Sequence, residues 1–349
     1  MVAIRRSATM TCGVLGILGL LLGLCGGCVA DAQPGVKPAR PLTPEETLEL
    51  HNRALDLLLR AAEGDLNDVS CNAIEALVEV APREGLPAFR AAVQSDAPLV
   101  RYAGFVALGQ VRDQTSLPTI TAGLNDANPL VRLAAAFAAY RCGKTGAARL
   151  LVRTLTDAPE ENQRAEAAAL LGRLEEPQAE RWLRAALRYP ANDKSNRVTL
   201  QIYGALAQLG RPDAVRELNS FSQADTETRT DALLLLARIG HPLSQDVLRF
   251  VLSRDTEYLE TRLLAARGLG RSGSQEGFDL ALRMAFYKDP NKDPQAADRT
   301  FPVRSTAIHA LAEYRNPRAL PALRDIAADP SDARLQVAAA YAICRITAR

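Results

Sequence analysis

Apolar side chains first take up a regular spacing at Leu48, Ala54, Leu55, Leu58, Leu59 and Ala62, with His51 on the same stripe. That recurrence predicts a helix. Thr43-Pro44-Glu45-Glu46 starts it with an N-cap, a proline at the first helical position and a glutamate placed to close a capping box. Gly64 ends it. Beyond that point two kinds of segment alternate. One is tight and Ala-rich, as in Val131-Arg132 through Ala139-Tyr140. The other spaces larger residues as Leu-x-x-Leu-x-x-x-Leu, as in Leu117, Ile120, Leu124 and in Leu320, Leu323, Ile326. Turns rich in Gly, Pro, Asp and Asn separate them, such as Gly109–Asp113 and Arg211-Pro212-Asp213.

The Ala-rich frame recurs with its arginine at Arg101, Arg132, Arg164, Arg262, Arg304 and Arg334, each eight residues before a closing small or aromatic position. Degenerate copies run from Ser70 to Val78, Ile202 to Gly210 and Ala232 to Gly240. The result is nine units of about 30 residues, each two helices long. Such a hairpin has too little interior to fold alone, whereas stacked hairpins share one seam. The expected fold class is therefore all-α, an α-α superhelix of about nine helical hairpins. The frame Asp-x-x-Pro-x-Val-Arg, seen best in Asp126-Ala-Asn-Pro129-Leu-Val131-Arg132, resembles the HEAT-like repeats of phycobilisome lyase proteins. The resemblance covers roughly residues 65–349 and is specific for fold, not for activity. It implies that frame Asp and Arg residues pair between neighbouring units, which makes Arg101, Arg132 and Arg164 structural.

The N-terminus follows another pattern. Arg5-Arg6, the apolar run from Val14 to Leu24 and small residues after it form a signal peptide, too short to span a bilayer comfortably. Leu24-Cys25-Gly26-Gly27-Cys28 is similar to a bacterial lipobox with Cys28 as the lipidated residue, although Cys25 replaces the usual aliphatic side chain. Ala30-Asp31-Ala32 offers an alternative cleavage site that would release a soluble protein. Residues 1–28 are thus expected to be a signal peptide, 29–42 a Pro-rich linker and 43–349 the repeat domain. The expected location is the cell envelope, membrane-anchored through lipid. Without the signal peptide, 40 basic side chains face 40 acidic ones. A neutral chain has no global drive towards nucleic acid, so none is expected as a partner.

Candidate chemistry is sparse. His51, His241 and His309 are followed by Asn52, Pro242 and Ala310, which excludes the His-Glu pairs of diiron hydroxylases that share this fold. Cys71, Cys142 and Cys344 lack metal-ligand spacing. Asp289-Pro-Asn291-Lys-Asp293 imitates half of a calcium loop, but Pro294 and Thr300 occupy its glycine and glutamate positions. It lies in a polar insertion, Tyr287 to Pro302, between the seventh and eighth units. Metal, cofactor and catalysis are therefore not expected. Aligning the Leu-rich helices puts Arg90, Arg184, Arg249, Arg283 and Arg324 at one position, with Trp182 beside Arg184. On helices expected to line a concave face, this stripe is a candidate surface for an acidic protein partner. The expected function is an extracytoplasmic scaffold for protein–protein interaction. A lyase-like or chaperone-like factor acting on a protein substrate is the alternative.

Overall fold

Alanine at positions where helices meet lets their axes approach closely, and the Ala-rich segments fold accordingly into helices with almost no solvent-facing side. In the computed structural model, which describes residues 40–291 and 295–348, every described element is helix or turn. The signal peptide, Cys28 and most of the linker lie outside the described residues. In chain order the helices are α1 (Pro44–Ala62), α2 (Asn67–Val80), α3 (Leu86–Ala92), α4 (Pro98–Val111), α5 (Leu117–Gly123), α6 (Pro129–Arg141) and α7 (Ala148–Asp157). They continue with α8 (Glu161–Gly172), α9 (Pro177–Ala186), the single turn α10 (Pro190–Asp193), α11 (Asn196–Gln208), α12 (Pro212–Phe221) and α13 (Thr226–Ile239). The last are α14 (Gln245–Ser253), α15 (Leu259–Arg271), α16 (Phe278–Met284), α17 (Ala296–Tyr314), α18 (Leu320–Ala328) and α19 (Ala333–Thr347).

The Ala-rich helices α2, α4, α6, α8, α11, α13, α15, α17 and α19 pack in succession as an inner layer. The remaining helices cover them, each burying a single stripe, as α7 does with Ala148, Leu151 and Leu155 while Arg153 is exposed. Glycine permits some of the closest inner contacts: a Cβ on Gly172 would lie 2.7 Å from the Ala205 Cα, and one on Gly109 2.7 Å from the Ala138 Cα.

The stack does not stay open. α19 packs against both α1 and α2, so nine inner helices close into a ring. Across the seam His51 Nδ1 lies 2.7 Å from Thr347 Oγ1, and the Tyr341 hydroxyl donates to Glu79 at 2.8 Å. α1 supplies the outer cover there through Leu50, Ala54 and Leu58, and its Thr43–Glu46 capping box is formed on both sides. Solenoids usually end in a repeat with a polar outer face. α19 has no such face, since Leu335 through Cys344 is almost wholly buried, and closure supplies its missing neighbour.

In eight of the nine inner helices the residue whose N–H bonds the carbonyl four before it, at the N-cap, is Ser70, Arg101, Arg132, Arg164, Thr199, Arg229, Arg262 or Gln336. In α17, lengthened at its start, it is Arg299, about one and a half turns before the frame residue Arg304. This register corrects three frame copies: the anchor is Thr199 rather than Ile202, Arg229 rather than Ala232, and Gln336 rather than Arg334. Frame pairing between units is seen where Arg101 donates to both Asp126 oxygens at 2.9 and 3.0 Å. Arg164 reaches the Asn192 amide oxygen instead, and Arg132 binds the carbonyls of Asp126 and Ala127. The insertion is only partly a loop. Residues 296–301 extend α17, with Pro302 inside the helix, where it removes one backbone bond.

Candidate functional site: the charged interior of the ring

Nine residues beyond each anchor, in or just after the last turn of each inner helix, stand Glu79, Gln110, Arg141, Arg173, Gln208, Arg238, Arg271, Glu313 and Arg345. Arg304 of α17, which binds the Ala285 carbonyl, serves as the anchor for Glu313. All nine are polar, at the ends of helices otherwise built from Ala and Leu. They project where non-adjacent helices can meet: Gln110 of α4, with its amide oxygen turned inward, accepts from Nε and Nη2 of Arg173 on α8 at 3.0 and 2.7 Å. One turn deeper, the Tyr102 hydroxyl of α4 bonds Glu166 of α8. Glu75 of α2 acts electrostatically on Arg238 of α13, four helices away around the ring. Only the interior connects them.

Two arcs differ. Along α15, α17, α19 and α2 the charges alternate. Arg271 donates to Glu313 at 3.1 Å, Arg345 donates to Glu313 at 2.8 Å and to Glu79 at 2.5 Å. Glu313 is 2% exposed in its side chain, and Arg267 pairs with it as well, at 3.9 Å. On the far arc Arg141 is paired with Glu175 at 3.0 Å, whereas Arg173 and Arg238 meet no carboxylate within ion-pair distance among the described residues. Arg173 Nη1 and Arg267 Nε are buried without a hydrogen-bond partner.

Burial and like charge leave clear marks. Desolvation, followed by repulsion from Arg173 and Arg267, lowers the Arg238 pKa to about 10. Desolvation raises the Glu166 carboxyl despite its bond from Tyr102. Asp231 and Glu260 are raised by burial as well. His309 is 7% exposed. Burial first, then Arg267 and Arg345, takes its pKa down to about 3, so the ring is neutral at physiological pH. Its Nδ1 has no partner, and its ring lies 5.8 Å from that of Tyr341.

The arginine stripe expected on a concave face lies on the outer helices instead, because the fully buried Ala-rich layer takes the inside. Its members are largely held by neighbouring repeats. Arg90 forks onto Asp113 at 2.8 Å, Arg184 reaches Asp213 and Glu180 at 2.9 Å, and Arg249 reaches Glu276 at 2.8 Å. Arg324 binds its neighbour Asp325 at 2.9 Å. Arg283 stands in the last turn of α16, and Trp182 packs half-buried against the core from α9. The thiols Cys71, Cys142 and Cys344 are free and buried, with Cys344 pushed up to about 12 by desolvation. Asp289 is engaged by Arg299 at 2.6 Å. The interior column was missed because the repeat frame was followed to its eighth position. One residue farther, a polar side chain in every unit is the signal.

The HEAT-repeat family model matches residues 54–140 and 254–344. A comparison with curated proteins finds no match. Among solved structures, the chain is similar to the CpcE–CpcF complex of phycocyanin lyase from Nostoc sp. PCC7120, with 16% identity, TM-score 0.41, and coverage of 80% of this chain and 99% of that one. It is also similar to human deoxyhypusine hydroxylase, with 17% identity, TM-score 0.38, and coverage of 87% and 99%. An engineered protein gives 16% identity, TM-score 0.32, and coverage of 86% and 94%. A lyase and a hydroxylase among these structures overturn the expectation that the chain is not an enzyme; the likeness itself extends to the fold alone. With helical repeats matched over more than half its length, this chain belongs to the HEAT-repeat family.

Proposed function

We propose that the protein is an extracytoplasmic scaffold, anchored by lipid at Cys28, that docks a protein partner on its outer face. The observation that carries the docking reading is an apolar patch around α14. Leu243 and Phe250, seven residues apart, are 46% and 59% exposed, and Tyr258 beyond them is 47% exposed. The Arg254 guanidinium lies 5.4 Å from the Phe250 ring centroid, and Arg249 stands on the same helix. Aromatic and arginine side chains of this kind supply most of the energy at protein interfaces. The remaining stripe arginines, Arg90, Arg184, Arg283 and Arg324, with Trp182, would form the outlying polar rim. The export signal and lipobox support the location.

A photo-crosslinking residue placed at Phe250 tests the docking reading. It should give one discrete protein adduct in the native envelope, lost in Leu243→Asp, whereas the same probe at exposed Arg153 should give none. Equal labelling at both positions would discard the patch. Fatty-acid labelling should mark wild type and not Cys28→Ser, and an unlabelled wild type would discard the anchor.

A further inference from the structure

We infer that the cavity between the insertion and the turn into α19 binds a small organic carboxylate, its head group forked onto Arg304 and its body packed on Tyr287, Phe301 and Leu335. The site shares no residue with the patch around α14. The cavity measures about 390 Å³, within the range of ligand pockets. Its walls come from the segment after α16, the start of α17 and the turn between α18 and α19. Residues 296–301, by which the insertion lengthens α17, form one of those walls. Insertions in stacked repeats gather on one face, often the face that binds.

The repeat frame offers Arg304 a partner that it does not take. Arg101 donates Nε and Nη2 to Asp126, 25 residues on, and Asp329 stands at the same separation from Arg304. Here Nε goes to the Ala285 carbonyl at 3.0 Å, and neither Nη meets an acceptor among the described residues. Asp329 accepts from the Ser331 N–H at 3.0 Å instead. The carboxylates that line the cavity are engaged as well, Asp289 by Arg299 at 2.6 Å and Asp332 by Arg334 at 3.1 and 3.0 Å. Desolvation outweighs the longer-range attraction of Asp329 and Asp332 and lowers the Arg304 pKa. A half-buried guanidinium with open donors matches the two oxygens of a carboxylate. Tyr287 and Leu335 are buried, and the Arg334 guanidinium holds Phe301 from 3.8 Å above its ring centroid. Such an apolar wall suits a ligand with a hydrocarbon body and not a bare inorganic ion.

Ligand-observed saturation-transfer NMR on the full chain tests this with benzoate, a carboxylate on a flat apolar body, against uncharged benzamide. Benzoate should bind saturably and benzamide at least tenfold more weakly, and an equal concentration of inorganic phosphate should not displace benzoate. Arg304→Gln should weaken benzoate binding at least tenfold, and so should Ala297→Trp, which fills the cavity from an exposed lining position. Arg153→Gln on α7 should leave it unchanged. Far-ultraviolet circular dichroism establishes that the variants fold. No saturable binding of benzoate, equal binding of benzamide, displacement by phosphate, or wild-type affinity in either folded cavity variant would overturn the site.

Discussion

The two arcs of the ring use the same position on successive helices and reach opposite electrostatic results. On the seam arc, Arg271, Glu313, Arg345 and Glu79 alternate in sign, so each buried charge finds a partner on the next helix. On the far arc, Arg173 and Arg238 face a glutamine and each other's field. The contrast separates two uses of buried charge. On the seam arc the network runs through successive repeats and on across the junction of the two chain ends, where Arg345 and Glu79 help fix which helix meets which. On the far arc Arg173 and Arg238 stand outside any such chain of pairs.

The largest effect should come from breaking the buried network. Glu313→Ala removes the carboxylate that Arg267, Arg271 and Arg345 share and leaves Arg267 and Arg345 buried without it, at a cost of about 3–5 kcal/mol. Denaturant unfolding measures this, and a loss below about 1 kcal/mol would show that the buried network does not hold these helices together. On the far arc the opposite sign is expected. Arg238→Met replaces an unmatched charge with a side chain of similar reach and should stabilise the protein by about 1–4 kcal/mol. A destabilised Arg238→Met protein would show that the far arc is as well paired as the seam.

His309 sits within the seam arc and makes its stability depend on pH. It faces Arg267 of α15 and Arg345 and Tyr341 of α19, with Asn72 of α2 lining the same small cavity. Its folded pKa of about 3 lies below the ordinary histidine value of 6.5, so the native state stays neutral while the unfolded chain takes up a proton. The neutral-ring advantage is therefore complete above pH 6.5 and is lost progressively as pH falls towards 3. At pH 5 it amounts to about 2 kcal/mol. His309→Phe, which keeps a ring against Tyr341, should lose that much less stability than wild type between pH 7 and pH 5. Parallel pH profiles would contradict the assignment.

How much of this was legible can be argued from single helices. Alternation of Ala-rich and Leu-rich segments, and Asp126-Ala-Asn-Pro129, specify hairpins because each signal is local: a cap, a period, a turn. Closure is not local. Nothing near Thr347 announces His51, and the buried face of α19 becomes informative only when its neighbour is known. The frame also slipped at α11, α13 and α19, where Ile202, Ala232 and Arg334 offered false anchors; at Thr199 and Gln336 the anchor is not arginine at all. Following the frame one position farther in the correct register exposes the polar column. The Leu-rich helices misled in the other direction, since their exposed arginines mark the outside of a closed ring.

That outer face supplies the smallest expected effect. Arg249 is tied to Glu276 and Asp246, but its side chain is 41% exposed and its partners are 50% and 98% exposed. Water already solvates such groups, and salt screens what attraction remains. Arg249→Ala should therefore leave the melting temperature unchanged within error, in contrast to Glu313→Ala, although both remove a member of an inter-repeat ion pair. A loss at Arg249 comparable to that at Glu313 would mean that the outer ladder, and not the buried seam, holds neighbouring hairpins in register.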